Sequence, residues 1–238
     1  MKTVLYRSST RGHKNHGWLD TYHTFSFADY YNTERMHFGA LRVINDDIVE
    51  GGKEFDTQPH DNMEFVLIPL YGKLKYKDCT GHTRVIGMGE VQVMSTGTDV
   101  CRSECNAHAD RPVNFLQIGI FPNKENVKPR SGQKALDFIS RNNQLVELVS
   151  PDQKGDGLWL HQDAWIHMGT FDRDYSLEYQ IKKAGNGVWA MVIEGEFTVE
   201  DKHLFHRDGF GLWDVDRIKI TSASDDARIL LIDIPMDF

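Results

Sequence analysis

The sequence predicts an all-β chain made of two similar β-domains, and three observations predict it. Short segments of alternating character dominate, and Gly or Asp-Gly punctuates nearly all of them. Helical periodicity is weak throughout. The two halves also echo one another in order. A hairpin opens at Tyr71-Gly72-Lys73-Leu74 and another at Glu194-Gly195-Glu196-Phe197, and in each half a second glycine, 17 or 14 residues on, precedes a strand. Each half then closes on a long apolar strand ending in proline, Leu116 to Pro122 and Ile229 to Pro235. Two echoes in the same order indicate a duplicated β-domain of about 110 residues.

Lys73-Leu74-Lys75-Tyr76-Lys77 is the clearest strand, with one wet and one buried face, between Gly72 and the turn signal Asp78-Cys79-Thr80-Gly81. The first half adds strands over Leu41–Ile48, Glu90–Met94 and Val113–Phe121. The second adds Gly157–His161, Trp165–Thr170, Leu177–Ile181, Trp189–Ile193, Glu196–Val199, Phe210–Val215, Ile218–Thr221 and Arg228–Ile234. Many short strands at this spacing indicate sandwiches or barrels. One helix is expected, Ser131 to Arg141, with Ala135, Leu136 and Ile139, joined by Phe138, as its apolar stripe. The polar stretch Lys124 to Arg130, which contains a proline, reads as the bridge between the halves.

Composition excludes several classes. The 238 residues are 40% hydrophobic and 26% charged, which rules out disorder. The net charge of −8 argues against direct nucleic-acid binding. The three cysteines, Cys79, Cys101 and Cys105, suit reduced thiols rather than a disulfide framework. Met1 to Ser9 lacks the pattern of a signal peptide, and the longest apolar run, Phe65 to Tyr71, is far too short to span a bilayer. The reading is a cytoplasmic protein without membrane contact.

A metal site in a small barrel needs ligands at i and i+2, on one face of a strand. Gln58/His60 and Arg102/Glu104 have that spacing, and Glu64 follows nearby. The segments around them, Gly52 to Gly72 and Gly89 to Asn106, resemble the two cupin motifs. The stretch Arg11-Gly12-His13-Lys14-Asn15-His16-Gly17-Trp18-Leu19-Asp20, then His23 to Tyr31 and Leu41 to Asp47, closely resembles the pirin family of bicupins.

That resemblance runs over nearly the whole chain. It implies two tandem jelly-roll (cupin) barrels, residues 1–128 and 130–238, with any metal in the first. In the family three His and one Glu usually hold Fe(II), and some bacterial members resemble quercetin 2,3-dioxygenases. Here the family's His-Pro-His reads Gln58-Pro59-His60 and its His-Ser-Glu reads Arg102-Ser103-Glu104. His60 and Glu104 keep their ligand type. Gln58 offers only an amide oxygen, and the Arg102 guanidinium has no lone pair to give.

The expected pocket is therefore Gln58, His60, Glu64, Arg102 and Glu104, with both carboxylates leaning into the barrel and Arg102 supplying the charge a metal would bring. No cofactor is expected. Fe(II) or another divalent metal at His60 and Glu104 is the alternative, with Glu64, Cys101 or His108 as further recruits.

Three functions are weighed. The first is a bicupin that binds a small molecule or protein partner in the N-terminal pocket. The second is a quercetin 2,3-dioxygenase-like enzyme with Glu64 as base. The third is a transcription cofactor acting through protein contacts. His13, His16 and His23 are assigned to a packed arm. His161, His167, His203 and His206 lack ligand spacing, so the second barrel is read as structural. No phosphate-binding glycine loop, Gly-x-Ser-x-Gly elbow or His-Glu-x-x-His helix is present.

Overall fold

Each half of the chain pairs a seven-stranded with a four-stranded antiparallel-rich sheet and closes them around an interior. The computed structural model describes residues 1–78, 83–98 and 100–237, with the backbone alone at 55–60, 78 and 100–102. The turn expected over Cys79 to Gly81 lies outside the described residues.

The strands of the first half are β1 (Lys2–Tyr6), β2 (Gly12–Asn15), β3 (Leu19–His23), β4 (Leu41–Val49), β5 (Glu54–His60), β6 (Glu64–Tyr71), β7 (Lys73–Asp78), β8 (Thr83–Gly87), β9 (Glu90–Ser95), β10 (Val100–Asn106), β11 (Val113–Ile120) and β12 (Arg130–Ala135). The second half contributes β13 (Val146–Ser150), β14 (Leu158–Trp159), β15 (Trp165–Phe171), β16 (Ser176–Gln180), β17 (Asn186–Glu194), β18 (Phe197–Val199), β19 (Lys202–Leu204), β20 (Gly209–Trp213), β21 (Arg217–Ser222) and β22 (Ala227–Pro235).

The first barrel joins the sheets β12-β9-β6-β11-β4-β3-β2 and β5-β10-β7-β8, and the second joins β1-β20-β17-β22-β15-β13-β14 and β16-β21-β18-β19. The expected all-β bicupin architecture is present. The helix expected over Ser131 to Arg141 is not. Residues 130–135 form β12, an edge strand on β9, because its backbone groups find a ladder there while its side chains stay exposed or half-buried.

The terminal strands cross the expected division at 128/130. β1 pairs with β20 in the second barrel, and β12 belongs to the first. The hairpin from β6 to β7 turns at Gly72, whose φ of +76° suits glycine and where a Cβ would meet Pro112 O at 2.9 Å.

The two large sheets pack face to face. Leu41, Ile44, Val66, Ile68, Leu116 and Ile118 from the first barrel share one core with Ile166, Met168, Trp189, Met191, Leu230 and Ile232 from the second. Tyr6, Phe25 and Phe38 surround the Trp189 ring at centroid distances of 5.5, 5.2 and 5.4 Å. A buried polar contact reinforces the seam: Arg11 Nη1 and Arg207 Nε both approach Asp46 Oδ2, at 3.2 and 3.3 Å.

Candidate functional site

The two barrel interiors differ in chemistry. The second is filled by apolar side chains, among them Phe171, Val192, Phe197, Phe210, Ile218, Ile220, Ile229 and Leu231. Among the described residues the first encloses a smaller apolar cluster of Val49, Leu67, Leu74, Ile86, Val113 and Phe115.

Strand alternation places polar side chains beside that cluster. Asn45 and Asp47 share the face of Val49 on β4, Gln117 that of Phe115 on β11, and Gln92 pairs across from Leu67. Tyr76 shares the face of Leu74 on β7 and pairs with Glu104 on β10. All six are buried.

These groups fall into two sets. In one, the His23 Nδ1–H donates to Asn45 Oδ1 at 2.8 Å, and Asn45 Nδ2 donates to Gln117 Oε1 at 3.3 Å. Thr21 Oγ1 donates to Asp47 Oδ1. Burial, with Glu104 and Asp46 nearby, pushes the Asp47 carboxyl up to about 7. In the other set, the Tyr76 hydroxyl and both amide atoms of Gln92 are buried with no hydrogen-bond partner among the described residues. Unpaired buried polar atoms are costly, so they mark a surface shaped for something other than packing.

Of the expected pocket residues, Glu104 is buried, on the interior face of β10. Gln58, His60 and Arg102 have their backbones placed on β5 and β10, where Arg102 pairs with Gln58 and Val100 with His60. Their side chains, and that of Cys101, lie outside the described residues.

Glu64 is set elsewhere, which corrects the expectation that it leans into the barrel. It shares a face with Val66 and Ile68 and so turns toward the seam between the sheets. There it accepts a hydrogen bond from Ser95 Oγ at 2.8 Å and another from the backbone N–H of His161. Burial holds its carboxyl up at about 7, against the opposing pull of those bonds and of Arg130. From that face it does not reach the interior as a base.

The arm histidines divide. His13 stacks on Tyr22 at 4.4 Å and bonds Asp20 at 2.6 Å, while His23 lines the interior. In the second barrel His167 sits in a closed network: Tyr179 OH donates to Asp233 Oδ2 at 3.1 Å, and Lys182 N and Asn186 Nδ2 donate to the same carboxylate, each at 2.7 Å. Burial lowers the His167 imidazole to about 4, so it stays neutral. Asp47, Tyr76 and Gln92 were not singled out from the sequence. Period-two alternation along β4, β7 and β9 is the signal that would have found them.

Comparison with known proteins places this geometry. Residues 5–120 match the family described as "Pirin", and residues 147–234 match "Quercetinase C-terminal cupin domain". An Escherichia coli K12 protein named "Quercetin 2,3-dioxygenase" is 38% identical over 231 residues, covering 97% of this chain and 98% of its own. The chain belongs to the pirin family.

A "Pirin-like protein" of Caulobacter vibrioides is 33% identical over 223 residues, 93% of this chain and 95% of that pirin. Among solved structures, the E. coli bacterial pirin YhhW, in complex with nickel(II), superposes with a TM-score of 0.92 at 36% identity and covers 98% of this chain and 99% of its own.

At the positions where the family carries its ligands this chain has an amide at Gln58 and a permanent cation at Arg102, which pair across the ladder, while His60 and Glu104 keep the ligand type. Among the described residues no group of three or more His, Cys, Asp or Glu is arranged to hold a metal ion. No helix among them is long and apolar enough to cross a membrane.

Proposed function

We propose that this pirin-family bicupin binds a small hydroxylated or carboxylated molecule inside its first barrel, in the cytoplasm. In this reading the Arg102 cation takes the place of the family's metal. The observation that carries the reading is the set of buried polar atoms on the inner face with no partner among the described residues: the Tyr76 hydroxyl, on the strand that pairs with Glu104, and the Gln92 amide. An amide and a phenol supply both donors and acceptors, which suits a ligand rich in hydroxyl or carboxyl groups. Arg102, by type and position, balances Glu104 and favours an acidic ligand. The second barrel, filled with apolar side chains, supports the first and takes no ligand.

The competing reading is a metal-dependent quercetin 2,3-dioxygenase-like enzyme. It is favoured by the name of the E. coli relative and by the nickel(II) in its structural neighbour. The donor set at residues 58, 60, 102 and 104 weighs against it, and so does the turn of Glu64 away from the interior.

The test is metal analysis of chelator-free protein, then anaerobic Fe(II) loading and an assay of quercetin cleavage. The proposal expects substoichiometric metal and no turnover, together with ligand-induced thermal stabilisation that Gln92→Leu abolishes. Near-stoichiometric iron with robust cleavage would overturn it.

A further inference from the structure

Outside the barrel interiors, the bridge between the domains walls a cleft of about 620 Å³ with Trp159 and His161 opposite. Its chemistry departs from that of the chain. Three cations, Lys124, Lys128 and Arg130, line it in a protein of net charge −8.

The bridge is held in place. Asn126 N donates to Asn62 Oδ1 at 2.7 Å and Asn123 N to His161 O at 2.7 Å. At Gly97, with φ of +53°, a Cβ would meet Val127 O at 1.9 Å, so the bridge backbone lies directly on that loop. The cations are thus presented by a fixed segment, which lowers the ordering cost of a ligand.

Arg130 is the centre of the cleft. Its guanidinium lies 3.4 Å over the Trp159 ring, and Nη2 donates to Trp159 O. Among the described residues Nε is buried without a partner, and the hydrogen bond that Arg130 makes there runs through Nη2. Neither Lys124 nor Lys128 forms an ion pair among them. The carboxyl behind Arg130 is Glu64, whose bonds go to Ser95 and the His161 backbone. Glu125, between the lysines in sequence, lines a different cleft with Gln162 and Asp163. Burial, with Arg130 and Lys124 nearby, lowers the His161 imidazole below its ordinary range, and its ring nitrogens offer both a donor and an acceptor in the neutral form.

We propose that this interdomain cleft binds a small organic oxyanion, a molecule bearing a phosphate or carboxylate group. Lys124, Lys128 and Arg130 Nη1 neutralise the anion, His161 bonds it, and Val127 packs against its apolar part. This site is separate from the barrel interior: Glu64 turns one way to the seam beneath the cleft while Phe65 and Leu67 turn to the barrel.

The experiment titrates the full chain with inorganic phosphate and, separately, with succinate, at 50 mM and 500 mM NaCl. The signals followed are the Trp159 indole N–H and the His161 ring proton by NMR. The result expected is a saturable shift at both residues with at least one of the two anions, weakened at least tenfold by the double substitution Lys124→Ala/Lys128→Ala and by the higher salt. Both lysines are exposed, so that variant keeps the fold. Saturation by phosphate alone assigns a phosphorylated ligand, and saturation by succinate alone a carboxylated one. No saturable shift with either anion, or equal affinity in the double variant, overturns the proposal.

Discussion

Arg102 stands directly across from Gln58 where β10 runs antiparallel to β5. The two departures from the family's ligand pattern are therefore cross-strand neighbours, and neighbours on one ladder set each other's chemistry. By residue type, a guanidinium is incompatible with a metal held at the paired position and compatible with a neutral amide there.

Restoring both positions tests whether the substitution pair alone excludes metal. In Gln58→His/Arg102→His the cation is gone and positions 58, 60, 102 and 104 carry the family's three His and one Glu. The expected gain in nickel(II) or Fe(II) affinity exceeds the roughly 10–100-fold that outer partners of metal ligands are worth. Metal content after dialysis and calorimetric titration measure it. The single variant Arg102→His should gain less. A double variant that stays metal-free would place the loss elsewhere in the barrel.

Gln92 offers a stability test of the same interior. Its side chain is fully buried, and neither amide atom is paired among the described residues, so the desolvation cost is not offset by a hydrogen bond there. Gln92→Leu has nearly the same volume and removes both unpaired atoms. Chemical denaturation should show a gain of about 1–3 kcal/mol, accompanied by weaker binding of whatever hydroxylated ligand the barrel takes. A loss of stability would mean that the amide is already satisfied.

Most strands were legible in the sequence because one of their faces is wet, as along Lys73 to Lys77, and alternation then shows. The duplication was legible from its glycines and closing prolines. What escaped was set by contacts distant in sequence. β12 reads as a helix because Ala135, Leu136 and Ile139 fall at helical spacing, yet a ladder with β9, some forty residues away, claims its backbone. The facing of Glu64 was equally hidden. From Glu64 to Leu70 both faces of β6 are buried, one in the barrel and one in the seam, so no alternation reveals which side a carboxyl takes.

That facing gives Glu64 a pH signature. In the folded chain its carboxyl is raised to about 7 from an ordinary 4.5, so below pH 4.5 both folded and unfolded states are protonated and no penalty arises. Between 4.5 and 7 the folded state binds the extra proton, and stability falls as pH rises, by about 3 kcal/mol in all, before levelling above 7. Glu64→Gln removes this dependence. The variant should match the parent near pH 4.5 and exceed its stability at pH 8 by about 2–3 kcal/mol. Denaturation curves across pH 4.5–8 check it, and parallel curves for the two proteins would contradict the assignment.

The exchange of terminal strands predicts that the barrels unfold together. β1 completes the sheet of the second barrel and β12 that of the first, and Trp189 of the second barrel is ringed by Tyr6, Phe25 and Phe38 from the chain's beginning. A cut after Lys128 leaves the second barrel without β1 and exposes the apolar sheet faces of both. Calorimetry of the intact chain should give one transition, and residues 130–238 expressed alone should fail to fold. Trp189→Ala, which empties the middle of the shared core, should cost about 3–5 kcal/mol and lower that single transition without splitting it. Two resolved transitions in the parent protein would show that each barrel holds itself together, and the seam would then be a docking contact between independent domains.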